Sequence, residues 1–313
     1  MTEMNPAGQK HCKLIIIGSG PAGLSAAIYA ARAELQPLVI SGLVLYGQAS
    51  YTNTIENYPG FPNGISGMEM GEQFERQAVK FGAKLLYEPV ERLDLSKKPF
   101  IVNLNSGSYT SDALILAMGA QSKQLQIPGE SEFLGRGVST CANCDGRFFK
   151  NKKIHVVGGG DSALEESLFL TRFADSVTII HRRNQLRAGA ILINRAKENA
   201  KIHFLWETVV KEIRGEERVS SLLIENVKSG RQEVIPTEGL FTFIGHSPNT
   251  ALVKDWVAID PAGYVQIDGN FQTNIPGVFA AGEIADPLYR QVITSAGMGA
   301  AAAISASHYL DCL

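Results

Sequence analysis

The chain has 313 residues, room for about two domains at roughly 100–200 residues each, and its 29 lysines and arginines against 31 aspartates and glutamates leave a formal charge of -2. Hydrophobic residues at 45% and glycine at 31 residues exclude intrinsic disorder and a collagen repeat. The near-zero charge gives no field for a nucleic-acid backbone or an acidic membrane surface, and no apolar run has the length of a membrane span, so any partner must be recognised locally.

Met1 to Gln9 are polar and lack the charged start, apolar middle and small-residue cleavage site of a secretion signal, which points to the cytoplasm. Lys13 to Gly18 reads as a strand that runs into Gly18-Ser19-Gly20-Pro21-Ala22-Gly23 and then into Leu24 to Arg32, an alanine-rich stretch with good helix propensity. Pro37 to Ile40 supplies the next strand and completes the βαβ unit in which a glycine turn can be read as a nucleotide site. The first glycine permits the tight turn, the second lets backbone approach a pyrophosphate, and the third position must be small for the helix to pack on the strand. The helix N-terminus then offers N–H groups and a positive dipole end. Where a ribose-reading acid would follow, Ser41 and Gly42 stand instead, so this copy does not name its ligand.

Further along, Cys141-Ala142-Asn143-Cys144-Asp145-Gly146 sets two thiols at the spacing of a redox pair, with Asp145 placed to hand a proton to a departing thiolate. The other cysteines, Cys12 and Cys312, stand near opposite ends; neither a disulfide framework nor a metal site is expected. The strand, turn and helix then recur as Lys153 to Val157, Gly158-Gly159-Gly160-Asp161-Ser162-Ala163 and Leu164 to Arg172, followed by a strand at Ser176 to Ile180. Two copies of one unit imply two nucleotide-binding domains. After the second copy come His181-Arg182-Arg183 and Arg187, cations that suit the 2′-phosphate of NADPH. With them, Gly158, Gly160, Asp161, Ser162 and Ala163 are the candidate NADPH residues. Near the C-terminus, Thr273 to Ala281 is a polar turn and short strand that delivers Gly282-Glu283, whose carboxylate can accept hydrogen bonds from the ribityl hydroxyls of FAD. Thr294 to Leu310 is a small-residue helix preceded by Arg290-Gln291, and its start would point N–H groups at an electron-rich ring or phosphate.

From Leu14 to about Leu310 the chain resembles the low-molecular-weight thioredoxin reductases. The residues that carry the resemblance are Gly18 to Gly23, Tyr46-Gly47-Gln48, Glu56-Asn57-Tyr58-Pro59-Gly60, Ala117-Met118-Gly119-Ala120, Cys141 to Gly146, Gly158 to Ala163, His181 to Arg183, Gly245 to Thr250, and Ala281-Gly282-Glu283 with Arg290-Gln291. It implies an α/β fold of two Rossmann-like, three-layer ββα domains: a discontinuous FAD domain, residues 1–120 and 249–313, and an inserted NADPH domain, residues 121–248, that carries the cysteines. It implies FAD contacts from Gly18, Gly20, Pro21, Ala22, Gly23, Gly47, Gln48, Asn57, Ala117, Gly119, Gly282, Glu283, Arg290, Gln291 and Val292, and a homodimer. The implied activity is reduction of thioredoxin disulfide, with electrons passing from NADPH through FAD and the Cys141/Cys144 disulfide. Cys144 would face the flavin, Cys141 attack the partner and Asp145 serve as acid–base group, while the NADPH domain rotates between two arrangements.

The chain departs from the family pattern in places. Glu283 stands for the commoner Asp, Met118 for Thr, Asn184 for an acid, and Ser50-Tyr51-Thr52-Asn53-Thr54 for a run of threonines near the flavin. His246 reads as a linker residue. Arg147 precedes Phe148-Phe149 where two aromatics commonly receive thioredoxin. That leaves two alternatives: another acceptor, peroxiredoxin-type or glutaredoxin-like, and a non-catalytic flavin redox sensor.

Overall fold

The computed structural model describes residues 3–4 (as backbone), 10–42, 44–52 and 54–313; the expectations that fall on Met1 to Gln9 and on Asn53 lie outside them. The chain divides into two units, Met1–Gln121 with Ser247–Leu313, and Ser122–His246. The first unit opens with β1 (Glu3–Met4), β2 (Lys10–Ile17), α1 (Pro21–Arg32), β3 (Leu38–Ile40), α2 (Gly67–Lys80), β4 (Lys84–Leu86), β5 (Val90–Asp94), β6 (Phe100–Leu104) and β7 (Gly107–Leu116). The chain leaves through β8 (Ala120–Ser122). The second unit contains β9 (Val138–Ser139), α3 (Ala142–Asp145), β10 (Lys153–Gly158), α4 (Asp161–Leu170), β11 (Ser176–His181), α5 (Ala190–Glu198), β12 (Ile202–Trp206), β13 (Thr208–Gly215), β14 (Val219–Asn226), β15 (Gln232–Pro236) and β16 (Leu240–Phe243). The return runs through β17 (His246–Pro248), paired with β8, to β18 (Val278–Ala280) and α6 (Val292–Asp311).

In the first unit β4, β3, β2 and β7 lie side by side in parallel, and β18 joins β7. A strand buried on both faces sends alternate side chains to opposite layers. In β2, Leu14 and Ile16 join the alanines of α1 and α6, whereas Ile15 and Ile17 join Phe100 and Val102 of β6 and Val253, Val257 and Val265 of the later loop. Each fully buried Leu or Ile contributes about 1.5–3 kcal/mol. The alanines let the helices come close: a Cβ on Gly299 of α6 would stand 2.0 Å from Ala22 O of α1. Pro21 opens α1, at the position where a missing N–H costs nothing.

The second unit repeats the plan. Five strands, β12, β11, β10, β16 and β9, form a wholly parallel sheet. Ile154, Val156, Val177 and Ile179 face the α4 and α5 layer, while Val138, Ile180 and Leu240 face the antiparallel sheet β13-β14-β15. Both units are thus α/β and Rossmann-like, each with an antiparallel element on the face opposite its helices. Among the described residues no helix is long and apolar enough to cross a membrane.

Candidate functional site

In the first unit the carboxyl ends of adjacent parallel strands gather residues far apart in sequence, as an open α/β sheet does at its ligand crevice. Gly18 N donates to Ile40 O, Ala117 N to Ile17 O and Ala281 N to Leu116 O, which sets the glycine turn, Ala117 to Gly119 and Gly282-Glu283 along one edge. Gly18, at φ 110°, leaves no room for a side chain: a Cβ would lie 2.3 Å from Ala117 O. At Gly23 a Cβ would lie 1.9 Å from Gly18 O, and at Gly282 it would lie 2.8 Å from the Ala22 methyl. Gly20 differs, since its nearest neighbours, Gly47 and Tyr46, are 4.0 Å away. This is the open cradle at the start of α1 that a pyrophosphate needs, and in that respect the residues fit FAD.

Gly47 and the exposed Gln48 begin a short 3-10 turn beside that opening. Asn57 Nδ2 donates to Gln291 Oε1 at 3.1 Å, so two expected flavin neighbours are joined. Val292, the first residue of α6, packs against the Ile55, Ile65 and Met70 cluster. Burial pushes the Glu283 carboxyl up to about 7, with Asp286 adding to the rise and Arg290 opposing it. A poorly hydrated carboxyl of this kind gains from hydroxyl donors.

In the second unit Gly158 carries the packing constraint, as its Cβ would meet the Ala163 methyl at 2.5 Å, while Gly160 has nothing within 4 Å. Asp161 opens α4 beside Ser162, and its Oδ1 accepts from Gly189 N at 2.8 Å, so it fastens the loop that follows β11. His181, an expected NADPH neighbour, is 5% exposed; its Nδ1 lies 2.7 Å from Gly158 O and its Nε2 3.0 Å from Gln185 O, so the ring ties glycine turn to basic loop. A Cβ on Gly159 would strike that ring at 2.3 Å. Arg182, Arg183 and Arg187 are exposed and line a pocket of about 320 Å³ with Asn184, Gln185 and Leu186. Its acid, Glu207, is ion-paired with Lys228 at 2.5 Å, which leaves the arginines to set the local charge. An anion such as a 2′-phosphate fits there.

Because β9 is parallel to the rest of its sheet, its carboxyl end delivers Ser139, Thr140 and Cys141 to the same edge as the glycine turn. It lies two strands from β10, about 10 Å across the sheet. Cys141 and Cys144 form a disulfide, with Cα atoms 5.3 Å apart. Cys144 N donates to Cys141 Sγ at 3.1 Å. Burial raises the Asp145 carboxyl above the ordinary carboxylate range, and the Ser139 hydroxyl, 2.6 Å from Oδ2, opposes the rise.

Two residues of these sites were missed in the sequence. Ser139 had only the weak signal of a hydroxyl two positions before Cys141. Asp286, 5% exposed, accepts from Leu288 N, Tyr289 N and Arg290 N at 2.8, 3.0 and 3.1 Å and so shapes the loop that presents Arg290 and Gln291. Its signal was an Asp-Pro pair, a turn-forming dipeptide.

The sequence pattern of the family described as pyridine nucleotide-disulphide oxidoreductase matches residues 12–299. The chain is 47% identical over 304 residues to a thioredoxin reductase of Rickettsia prowazekii (strain Madrid E), covering 96% of this chain and 98% of that one. It is 50% identical over 301 residues to a bifunctional thioredoxin reductase/thioredoxin of Mycobacterium leprae (strain TN), covering 95% of this chain but 66% of that longer protein. Among solved structures, a thioredoxin reductase from Streptococcus pyogenes MGAS5005 superposes with a TM-score of 0.93 at 42% identity, covering 97% of this chain and 99% of that one.

Proposed function

The chain belongs to the pyridine nucleotide-disulphide oxidoreductase family, and from that premise and its thioredoxin reductase relatives we propose that it is an NADPH-dependent thioredoxin-disulfide reductase that uses FAD. The observation that carries the reading is a disulfide followed directly by a part-buried carboxyl, on the sheet edge that also bears a glycine turn and an arginine pocket. When bound, FAD supplies the exchange of a hydride from NADPH for an electron pair delivered to the disulfide. The opening at Gly20, with Gly47, Ala117, Gly119 and Glu283 around it, would hold FAD. Gly160 and the start of α4 would hold the NADPH diphosphate, and Arg182, Arg183 and Arg187 its 2′-phosphate.

Once the pair is reduced, the Cys144 N–H aimed at Cys141 Sγ favours a thiolate on Cys141, which makes Cys141 the attacking sulfur. Cys144 is left to resolve the mixed disulfide. Burial keeps a proton on Asp145 at pH values where an exposed carboxylate has lost it, so that Asp145 can protonate the departing sulfur. Arg147 is exposed directly after this segment, with Phe148 at 42% exposure beside it; that substitution favours, as a second reading, an acceptor other than thioredoxin. By family analogy the working form is a cytoplasmic homodimer, which sedimentation of the holoprotein at two concentrations would measure.

The test uses purified holoprotein. NADPH should abolish the flavin absorbance rapidly and NADH slowly, and oxidised thioredoxin should then be reduced catalytically. Cys141→Ser should stop thioredoxin reduction while NADPH still bleaches the flavin. Equal use of NADH, or bleaching with no thioredoxin turnover, would contradict the reading.

A further inference from the structure

Ser139 closes β9 and is 3% exposed, and a single hydroxyl joins three groups of the disulfide segment. Cys141 N donates to Oγ at 3.1 Å, Asp145 Oδ2 lies 2.6 Å from it, and Cys141 O lies at 3.3 Å. Asp145 N donates to Cys141 O at 3.1 Å and completes the ring. A hydroxyl has one proton to give and two lone pairs to receive. With Asp145 ionised, Ser139 donates to Oδ2. With a proton on Oδ2, that proton is given to Oγ, and the Ser139 hydroxyl turns to Cys141 O. In neither state is a buried polar group left unpaired, and the carboxyl need not move.

We propose that Ser139 is a positioning residue of the disulfide exchange, holding the Asp145 carboxyl beside the cysteine pair in both its protonated and its ionised forms. The inference rests on the function proposed above for the identity of the reaction, and on the hydrogen bonds for the rest. The reaction requires both forms. The Cys141 thiolate bonds one sulfur of the partner disulfide as the partner S–S bond breaks, and the departing partner thiolate takes the Asp145 proton. The Cys144 thiol gives its proton to the Asp145 carboxylate and bonds Cys141 Sγ, displacing the second partner sulfur, which is protonated from water. Two electrons pass from the dithiol to the partner, and Asp145 returns to its starting state.

The charged residues on the elements around Asp145 are Arg147 in the turn that follows and Asp161, Glu165 and Glu166 on α4; β9 and β16 bring none. Burial and the Ser139 bond are the causes of the Asp145 shift, with the bond on the lowering side. Removing the hydroxyl therefore moves the carboxyl further up.

The experiment places ¹³C-carboxyl aspartate in the holoprotein and identifies the Asp145 signal by its absence in Asp145→Asn. Ser139→Ala should raise the pH midpoint of that signal and slow thioredoxin reduction about tenfold or more, with the pH profile of the rate moving in step and the rate of flavin bleaching by NADPH unchanged. In an Asp145→Asn background the same substitution should have no further effect on the rate. An unmoved midpoint, or an equal loss of rate in that background, overturns the proposal. If Ser139→Ala does not fold, the unaltered protein decides: the ¹⁵N shift of the Cys141 amide must keep its hydrogen-bonded value on both sides of the Asp145 transition, and its loss on either side overturns the proposal. The titrations involve no thioredoxin, so they succeed or fail separately from the identity of the acceptor.

Discussion

The glycine turn after β2 and the one after β10 have the same sequence plan, yet different neighbours close over them. At the first, Gly18 stands at φ 110° and aims its carbonyl at position 23, where only glycine fits. At the second, Gly158 has no positive φ, and position 163 accepts a methyl that is wholly buried. Between these positions the first turn has Ser19, whose Oγ accepts from Tyr46 N at 3.2 Å, while the second has Gly159, kept bare by the His181 ring. In both, the middle glycine has the most room: Gly160 has nothing within 4 Å, and Gly20 meets only Gly47 Cα and Tyr46 O, at 4.0 Å. Of the glycines in such a motif, one in each copy thus leaves room for a ligand, and the others serve the packing of helix on strand. The mouths differ too: a carboxyl from a remote strand in one unit, and arginines from the next strand in the other.

The largest expected effect comes from Gly23→Ala, which places a methyl against the Gly18 carbonyl and should cost more than about 3 kcal/mol in chemical denaturation, with loss of FAD. Ala163→Gly at the equivalent place should cost about 1 kcal/mol. Equal costs would remove the distinction between the turns.

Next is the carboxyl at the first mouth. Since the fold holds Glu283 at about 7, above the ordinary 4.5, the stability it contributes to flavin-free protein is fully present below pH 4.5 and lost as pH rises through about 7. The unfolding free energy of stripped protein should fall over that window relative to Glu283→Gln, by an amount on the order of 2–3 kcal/mol in chemical denaturation at a series of pH values. Bound FAD should reverse the trend, as the ionised form is the one that accepts from hydroxyls. Parallel curves for the two proteins would refute the assignment.

At the second mouth, the double substitution Arg182→Ala, Arg183→Ala should weaken NADPH binding by about 10–100-fold, or about 1.4–2.8 kcal/mol, and leave NADH unchanged. Titration calorimetry would show it, and a similar loss for both nucleotides would assign the arginines to the diphosphate. The smallest effects sharpen the contrast within one turn. Gly159→Ala should cost about 1–2 kcal/mol as the His181 ring gives way, whereas Gly160→Ala should stay within about 0.5 kcal/mol in stability and weaken NADPH and NADH alike.

Much of this was legible in the sequence where the signal is local. Both glycine turns, the cysteine pair with its acid and the basic residues after β11 are short motifs whose chemistry depends on neighbours in the chain. What lay hidden depends on distant neighbours. The antiparallel pairings of β5 with β6 and of β13 to β15 show no motif, only apolar positions whose partners the fold supplies. Asp286 acts on backbone N–H groups that converge only once its loop is formed. His181 was readable in part. Its charge type grouped it with Arg182 and Arg183, but it ends β11 directly after Ile179 and Ile180, buried on opposite faces of a sheet that is covered on both sides.

The pairing of β8 with β17 is bounded by Lys123 N on Gly245 O at 2.9 Å and Asn249 N on Gly119 O at 3.0 Å. The second unit therefore enters and leaves by a single doorway, and the first takes every strand of its eight-stranded sheet from outside the insert. A gene edit that spans the doorway with a tight turn, joining Gln121 to Ser247, would leave that sheet with its full set of strands. The insert is in this sense a cassette, contributing no strand to the sheet of its host.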